Sequence, residues 1–211
     1  MSDTIYINGR YYKPQSAKIS VFDRGFLYGD AVFETMRSYD GVIFLVEKHL
    51  IRLSQSAAII RLKPPHTSEQ LVKMLYRTLK NSKIKNAYIR LSITRGIIAH
   101  GSASHHISRP NTIIICREVT PPSDEKYKNG VTAVISTYTK TAPNAFDPRI
   151  KSHNYLANIL ARMEAAEKNA YESLLTDSDG FVTEGAMSNF FLVKNNALYT
   201  PPKNSGILEG T

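Results

Sequence analysis

The sequence contains a single cysteine, Cys116, so no internal disulfide can form. One buried-strand cysteine is typical of proteins from a reducing compartment, and we expect a cytoplasmic location. The chain also lacks any apolar run of about 18 or more residues, which excludes a membrane-spanning helix and predicts no membrane partner. The first residues show no basic stretch followed by an apolar one, so no secretory signal is predicted.

Acidic residues are in the minority, and the formal net charge is +9 at pH 7. The lysines and arginines are scattered, however, with no block of about five like charges. We therefore expect no nucleic-acid partner, although a basic surface would favour anionic substrates. We expect no metal site either, because the adjacent histidines His105 and His106 lack further ligands at the spacing that metal sites use.

The apolar patterns along the chain predict an α+β fold with two domains. Residues 1–118 alternate strands and amphipathic helices and form a small N-terminal domain, residues 119–126 are a polar, turn-rich linker, and residues 127–211 form the second domain. The predicted helices span 47–62, 68–83 (with Ser68 as N-cap) and 154–169, and the predicted strands span 5–12 (a hairpin at Asn8-Gly9), 31–46 (a hairpin at Asp40-Gly41), 87–94, 112–118, 130–139, 172–176, 181–183 and 189–200 (a hairpin at Asn195-Asn196).

One lysine lies where a strand pattern gives way to a helical one. Lys151 precedes the helix predicted from residue 154, so structured elements hold it on both sides, and its amine could act as a nucleophile toward an aldehyde. Glu184 is the one carboxylate in the otherwise uncharged segment 181–191. A fixed amine and an isolated acid are the two groups that a pyridoxal 5′-phosphate (PLP) site needs.

Four segments that include these residues follow one another in a characteristic order. They are residues 21–37 (VFDRGFLYGDAVFETMR), 48–53 (KHLIRL), 151–155 (KSHNY) and 182–189 (VTEGAMSN). Together they resemble the class IV, or fold-type IV, PLP-dependent enzymes, which include branched-chain amino-acid aminotransferases, D-amino-acid aminotransferases and aminodeoxychorismate lyases. The resemblance covers essentially the whole chain and implies the two-domain fold-type IV architecture and a homodimer.

The resemblance also implies which residues bind the cofactor. Lys151 would form the Schiff base with PLP and move the proton at the substrate Cα. Glu184 would keep the pyridine nitrogen protonated. Arg52 would bind the phosphate with its planar fork, and Tyr155 would hydrogen-bond the phenolic oxygen.

The last two residues, Gly210 and Thr211, resemble the start of the backbone cradle that holds the phosphate in this family. The chains of the family continue beyond this point. We therefore expect a truncated chain with an incomplete large domain.

Five residues of the small domain align with substrate-pocket positions of the family: Tyr28, Phe33, Arg37, Tyr88 and Arg90. Strand alternation puts Phe33 and Arg37 on one face, where Arg37 or Arg90 could bind a carboxylate. The alternative is that these are ordinary sheet residues, because alternation alone does not say which face is the pocket.

Transamination of an amino acid with 2-oxoglutarate as the 2-oxo acid is the activity that the resemblance favours. A branched-chain substrate comes first, because Tyr88-Ile-Arg90 is similar to the Tyr-Ile-Arg-Pro of that group. The first alternative is aminodeoxychorismate lyase, which releases pyruvate and 4-aminobenzoate, because Thr35 is typical of lyase-like members. D-amino-acid transamination comes next, and an inactive fragment without PLP is the alternative that is not an enzyme.

Overall fold

The structure is a computed structural model, which describes residues 3–98, 108–142 and 145–211. The chain divides into two compact units. The first is made of Met1–Thr120, Ile150–His153 and Thr211, and the second of Pro121–Arg149 and Asn154–Gly210. The predicted order of domain, linker and domain does not include the return of Ile150–His153 to the first unit. That return depends on backbone pairing with a distant strand, which local sequence patterns do not reveal.

An antiparallel sheet forms the centre of the first unit. Its strands in the described residues are β1 (Thr4–Ile7), β2 (Arg10–Tyr12), β3 (Ala31–Tyr39), β4 (Val42–Ile43), β5 (Ala87–Ile98) and β6 (Ser108–Glu118). They are arranged in the spatial order β2-β1-β6-β5-β3-β4. β5 and β6 are longer than predicted, because they continue to pair with each other beyond Thr94 and Asn111.

The predicted turns at both ends of this sheet are confirmed. Asn8 and Gly9 join β1 to β2 with φ values of 47° and 96°, the left-handed pair that a type I′ turn requires. Asp40 and Gly41 join β3 to β4 in the same way. The strand predicted up to residue 46 is wrong, since β4 ends at Ile43 and a helix begins soon after it.

Gly96 lies at a bulge in β5, where the pairing with β6 shifts register. Its φ is +73°, and a Cβ built there would lie 1.9 Å from the carbonyl oxygen of Arg109. Because Gly96→Ala adds a backbone clash to left-handed strain, we expect it to lower the free energy of unfolding by about 3 kcal/mol in urea denaturation. Gly9→Ala is the matched control. Gly9 has a φ of +96° with nothing within 4 Å of a built Cβ, so a loss of about 1 kcal/mol is expected. Equal losses in the two variants would contradict the role of the clash.

Helices cover one face of the sheet in the first unit. They are α2 (Val46–Ile59) and α3 (Ser68–Ser82), whereas the short helix α1 (Arg24–Tyr28) lies with Gly25 against the side chain of Thr94 on β5. The leucines of α2 and α3 pack with the apolar strand residues into one buried cluster, to which α2 contributes Leu50 and Leu53 and α3 contributes Leu71, Leu75 and Leu79. Because this core occupies one face of the sheet, the opposite face is not covered by α2 and α3.

Most predicted helix ends differ from the structure by one to three residues, and two differences have a clear local cause. α2 ends at Ile59 rather than at residue 62, because Arg61 adopts a left-handed φ of 52°. The N-cap of α3 is Thr67 and not Ser68. The Thr67 hydroxyl accepts from the backbone N–H of Gln70 at 3.3 Å, and the Gln70 side chain accepts from the backbone N–H of Thr67 at 2.9 Å.

The second unit has a smaller sheet of strands β7 (Ala133–Thr139), β8 (Glu172–Thr176) and β9 (Val182–Gly185). β7 is parallel to β8, and β8 is antiparallel to β9. A helix, α5 (Leu156–Glu167), packs on β7 and β8, with a small buried cluster of Ala161, Leu175 and Ala186. β7, α5 and β8 therefore form a crossover connection, in which a helix joins two parallel strands.

Two further elements complete the second unit. A short helix, α4 (Asp124–Asn129), begins inside the predicted linker, where its polar residues do not show an apolar stripe. A separate hairpin of β10 (Leu192–Lys194) and β11 (Ala197–Tyr199) turns at Asn195 and Asn196, as predicted. No helix in the part of the chain that the structure describes combines the length and the apolar character needed to cross a membrane.

Candidate functional site

Lys151 lies in an extended segment that pairs with β3. Its backbone N–H donates to Ser56 Oγ on α2 at 3.1 Å, and its carbonyl accepts from the N–H of Phe33 at 3.0 Å. The next residue, Ser152, forms an antiparallel bridge with Val32. Two elements therefore hold the backbone of Lys151, but they are a distant helix and strand rather than the neighbours in sequence that were expected to hold it.

The side chain of Lys151 extends over an aromatic ring. Its Nζ lies 4.8 Å from the centroid of the Phe33 ring, and the Cζ of Arg90 lies 3.6 Å from the same centroid. The predicted Schiff-base lysine and one predicted carboxylate-binding arginine thus share one neighbour. Phe33 itself is almost completely buried.

The register of β3 and β5 defines the face on which this cluster lies. Phe33 pairs with Ser92, Thr35 with Arg90, and Arg37 with Tyr88. The residues that alternate with them, such as Val32 and Leu91, belong to the core under α2 and α3. Phe33, Arg37, Tyr88 and Arg90 therefore occupy the face that the core helices leave uncovered.

The other predicted substrate residues stack with partners other than Lys151 and Phe33. The guanidinium of Arg37 stacks over Tyr39, and that of Arg117 stacks over Tyr88. The Nε of Arg37 is buried without a hydrogen-bond partner among the described residues. Tyr28, at the end of α1, is 63% exposed and contacts Arg24, so the structure does not bring it to the cluster around Phe33.

An open groove of about 540 Å³ runs across this face of the first unit. Its polar lining includes Lys18, Arg90, Ser92, Thr94 and His153. Sequence reasoning missed His153. The signal that could have found it is its position two residues after Lys151 in an extended segment, where alternate side chains point to the same side.

Arg52 lies on α2, under the opposite face of β3. Its Nε and Nη2 donate to the two carboxylate oxygens of Glu34, each at 2.6 Å. His49 Nδ1 is 2.8 Å from Glu34 Oε2, so His49 belongs to the same cluster. Glu34 has no exposed surface. This acid was also missed, although a lone carboxylate in an apolar strand is an indication of a buried pair.

Glu184, on β9 of the second unit, is buried and accepts from two groups. One carboxylate oxygen pairs with the Nζ of Lys140, and the other accepts from the backbone N–H of Leu208 at 2.9 Å. Lys140 was not predicted, since it lies far away in the sequence. The other predicted cofactor residue of this unit outside the C-terminal segment, Tyr155, is half-buried and stands directly before α5.

The segment that ends the second unit contacts the residues around Glu184. Asn189, which bridges with Glu184, donates from Nδ2 to the carbonyl of Leu208 at 2.9 Å. A Cβ at Gly210 would lie 2.2 Å from Asn189 Oδ1. The motif around Glu184 and the segment that leads to Gly210 are therefore in contact, which local sequence patterns do not predict. Thr211 is exposed.

Comparison with protein families gives these residues a context. Residues 31–211 match the family model described as "Amino-transferase class IV". The chain belongs to the class IV aminotransferases. Lys151, Glu184 and the other predicted cofactor residues all lie inside the matched range.

Relatives of this class IV aminotransferase carry more than one activity in their names. A protein of Methanocaldococcus jannaschii that is assigned the name of a branched-chain-amino-acid aminotransferase is 38% identical over 206 residues. The aminodeoxychorismate lyase of Bacillus subtilis is 36% identical over 208 residues. Each match covers 98% of this chain and 70% of the relative. D-alanine aminotransferases are also among the relatives.

The fold agrees with solved structures of the same family. The branched-chain amino acid aminotransferase of Escherichia coli superposes with a TM-score of 0.92 at 30% identity, over 100% of this chain and 71% of that one. The predicted fold-type IV architecture is therefore confirmed. This chain spans about 70% of the length of these proteins.

Class IV aminotransferases depend on PLP, and the described residues fit this cofactor. Lys151 offers an amine on a fixed backbone. Glu184 offers a buried carboxylate, which has about four lone-pair positions and uses two of them for Lys140 and Leu208. The close approach of the Gly210 backbone to Asn189 leaves no room there for a side chain.

Metal ligands do not cluster in the described ranges 3–98, 108–142 and 145–211, where no three His, Cys, Asp or Glu side chains are placed to hold a metal ion. The adjacent histidines His105 and His106 lie outside these ranges. The prediction that they form no metal site stays a prediction, as do the cytoplasmic location, the absence of a nucleic-acid partner and the homodimer.

Proposed function

We propose that this chain transaminates an amino acid, a branched-chain L-amino acid first, with 2-oxoglutarate as amino acceptor. The observation that supports this best is the arrangement around Phe33, whose ring contacts both Lys151 and Arg90. A reactive amine and a carboxylate-binding cation at one ring are what an α-amino acid requires, because its reacting Cα carries a carboxylate.

Lys151 has two tasks in this proposal. PLP, when bound, supplies an aldehyde for amines and a ring that withdraws electrons from the substrate Cα. The Lys151 amine would first hold the cofactor through that aldehyde and, once displaced by the substrate amine, would take up the proton from Cα and deliver it to the former aldehyde carbon. The hydrogen bonds that the Lys151 backbone makes with Ser56 and Phe33 fix the starting point of its side chain, which general acid–base catalysis requires.

The remaining cofactor residues would each bind one end of PLP. Glu184 would accept a hydrogen bond from the pyridine nitrogen, and Tyr155 would donate one to the phenolic oxygen. Arg52, Gly210 and Thr211 would contact the phosphate. Glu34 supports this role of Arg52, since it fixes the orientation of the guanidinium through Nε and Nη2.

The face of β3 and β5 would hold the substrate. Arg90 or Arg37 would bind its carboxylate, and Phe33 would contact its side chain. Tyr88 lies on this face as well, whereas Tyr28 would have to approach from an exposed position. A branched-chain substrate is our first choice because relatives and solved structures named for it align with the whole chain or nearly so.

Aminodeoxychorismate lyase is the second candidate. Thr35 lies opposite Arg90 in the register of β3 and β5, on the substrate face. Its hydroxyl would suit a polar substrate better than a branched aliphatic one. The lyase of Bacillus subtilis is also nearly as similar to this chain as the branched-chain relative. D-amino-acid transamination is third.

Amino-donor profiling tests the proposal. The PLP-loaded protein is incubated with 2-oxoglutarate and either L-leucine or D-alanine, and separately with aminodeoxychorismate. We expect glutamate with L-leucine at a rate at least about tenfold above that with D-alanine, and no 4-aminobenzoate. Glutamate with D-alanine alone, or release of pyruvate and 4-aminobenzoate, would contradict the proposed substrate.

A further inference from the structure

The small sheet of the second unit brings Lys140 to Glu184. Lys140 directly follows β7, and its backbone N–H donates to the carbonyl of Thr176 on the neighbouring strand β8 at 2.7 Å. On β8, Leu175 pairs in turn with Glu184 of β9. The side chain of Lys140 therefore reaches past one strand to the acid, although the two residues are 44 positions apart in the sequence.

This pair is buried within the second unit. The side chains of Lys140 and Glu184 are 16% and 6% exposed. A carboxylate as buried as this one is stable as an ion only where a cation and hydrogen-bond donors replace the lost water. Lys140 supplies the cation at one oxygen, and the backbone N–H of Leu208 supplies a donor at the other.

The charge of Glu184 decides which hydrogen bonds the side chain can make. An ionised carboxylate accepts hydrogen bonds, whereas a protonated carboxyl group has an O–H that donates one. The role proposed above, acceptance of a hydrogen bond from the pyridine nitrogen of PLP, requires the ionised form. A protonated Glu184 would donate to an unprotonated nitrogen instead, and the ring would then withdraw electrons less strongly.

We propose that Lys140 is a positioning residue, which keeps Glu184 ionised and fixes its carboxylate so that the pyridine nitrogen retains its proton. The inference rests on the proposed function, because it takes Glu184 as the partner of that nitrogen. Lys140 would act through Glu184 and would not contact the cofactor or the substrate itself.

The two donors are distributed in a way that suits this role. Lys140 and Leu208 bind different oxygens of Glu184, so each of these contacts uses one of the roughly two lone-pair positions of its oxygen. The carboxylate is thus held at both oxygens and can still accept a further hydrogen bond at either one.

Nitrogen NMR of the protein loaded with isotope-labelled PLP tests the inference, because protonation moves the resonance of a pyridine nitrogen strongly. At neutral pH we expect a protonated nitrogen in the wild type and an unprotonated one in Lys140→Met. Lys140→Arg should restore the wild-type resonance, since a guanidinium keeps the positive charge. Lys140→Met should also bind PLP about tenfold or more weakly in an absorbance titration, because a charge-assisted hydrogen bond becomes a neutral one.

Lys203→Met is the matched control. Lys203 also pairs with an acid of the second unit, Glu209, but its side chain is 78% exposed. We expect the nitrogen resonance and the PLP affinity of this variant to equal those of the wild type. A protonated nitrogen in Lys140→Met would overturn the inference, because the ion pair would then serve the fold alone. An unprotonated nitrogen in the wild type would overturn it as well.

Should Lys140→Met fail to fold, Lys140→Gln takes its place in both measurements. Glutamine keeps a hydrogen-bond donor but not the charge, so the same results are expected and the same results would contradict the inference. Both measurements are made without substrate. An amino donor other than L-leucine would therefore overturn the proposed substrate and leave these results unchanged.

Discussion

Replacing Lys151 with alanine is expected to abolish the visible absorbance that PLP gains on bonding to a lysine amine. It should also slow transamination by about 10²–10⁴-fold or more, because the same amine moves the proton at the substrate Cα. The fold should persist, since the hydrogen bonds of Lys151 to Ser56 and Phe33 use its backbone and not its side chain. Absorbance spectra, initial rates and thermal melting measure the three effects.

Lys73→Ala is the matched control for that variant. Lys73 is exposed on α3 and has no assigned role in the site, and alanine is well tolerated in a helix. We expect unchanged absorbance and rates. A Lys151→Ala protein that keeps the absorbance band of the wild type would contradict the assignment of Lys151.

Removal of the Glu34 carboxylate is expected to cause the largest loss of stability. Glu34 is fully buried and binds Arg52 and His49, whose side chains are 14% and 10% exposed. Glu34→Ala leaves donors buried around an absent carboxylate, so we expect the free energy of unfolding to fall by about 3–5 kcal/mol in urea denaturation. PLP affinity should fall as well, because Arg52 loses the partner that orients it.

Two control variants accompany Glu34→Ala, one at the same position and one at an exposed acid. Glu34→Gln keeps the shape and one acceptor oxygen, and we expect a smaller loss of about 1–3 kcal/mol. Glu47→Ala removes an exposed acid from the first turn of α2 and should cost less than about 1 kcal/mol. A loss for Glu34→Ala no greater than that for Glu47→Ala would disprove the buried pair.

Lowering the pH should reduce the contribution of Glu34 to the free energy of unfolding. Burial alone would raise the pKa of Glu34, but the hydrogen bonds from Arg52 and His49 outweigh burial and lower it. The stability that this group contributes is therefore complete above the pKa of glutamate in the unfolded chain and is lost as the pH falls through the lower folded pKa. The difference in stability between wild type and Glu34→Gln should shrink over that range.

Local patterns predicted most of the fold. The pairs Asn8-Gly9 and Asn195-Asn196 were sufficient to predict their hairpins, because few turn types require two successive residues with positive φ. The short α4 was missed because it has no apolar stripe. The N-cap of α3 was misplaced because Thr67 and Ser68 are both good N-caps, and the reciprocal bond from Gln70 favours Thr67. Those errors are local and small.

The site was predictable only in part, for a different reason. Lys151 and Glu184 belong to sequence motifs, but the partners that set their surroundings are distant in the chain. Glu34 lies on the strand face opposite the predicted substrate residues, and Lys140 is far in sequence from the acid that it pairs with. A single sequence records which residues alternate along a strand but not which strand or helix they will meet.

The pairing of Ile150–His153 with β3 also constrains the order of folding. The N–H of Lys151 reaches back 95 residues to Ser56, and its carbonyl reaches farther, to Phe33. A ribosome makes the chain from its N-terminus, so the sheet of the first unit emerges long before the segment that completes it. Loop closure over such separations slows folding. The backbone position of Lys151 is therefore assembled late, after the rest of the sheet of the first unit has been synthesised.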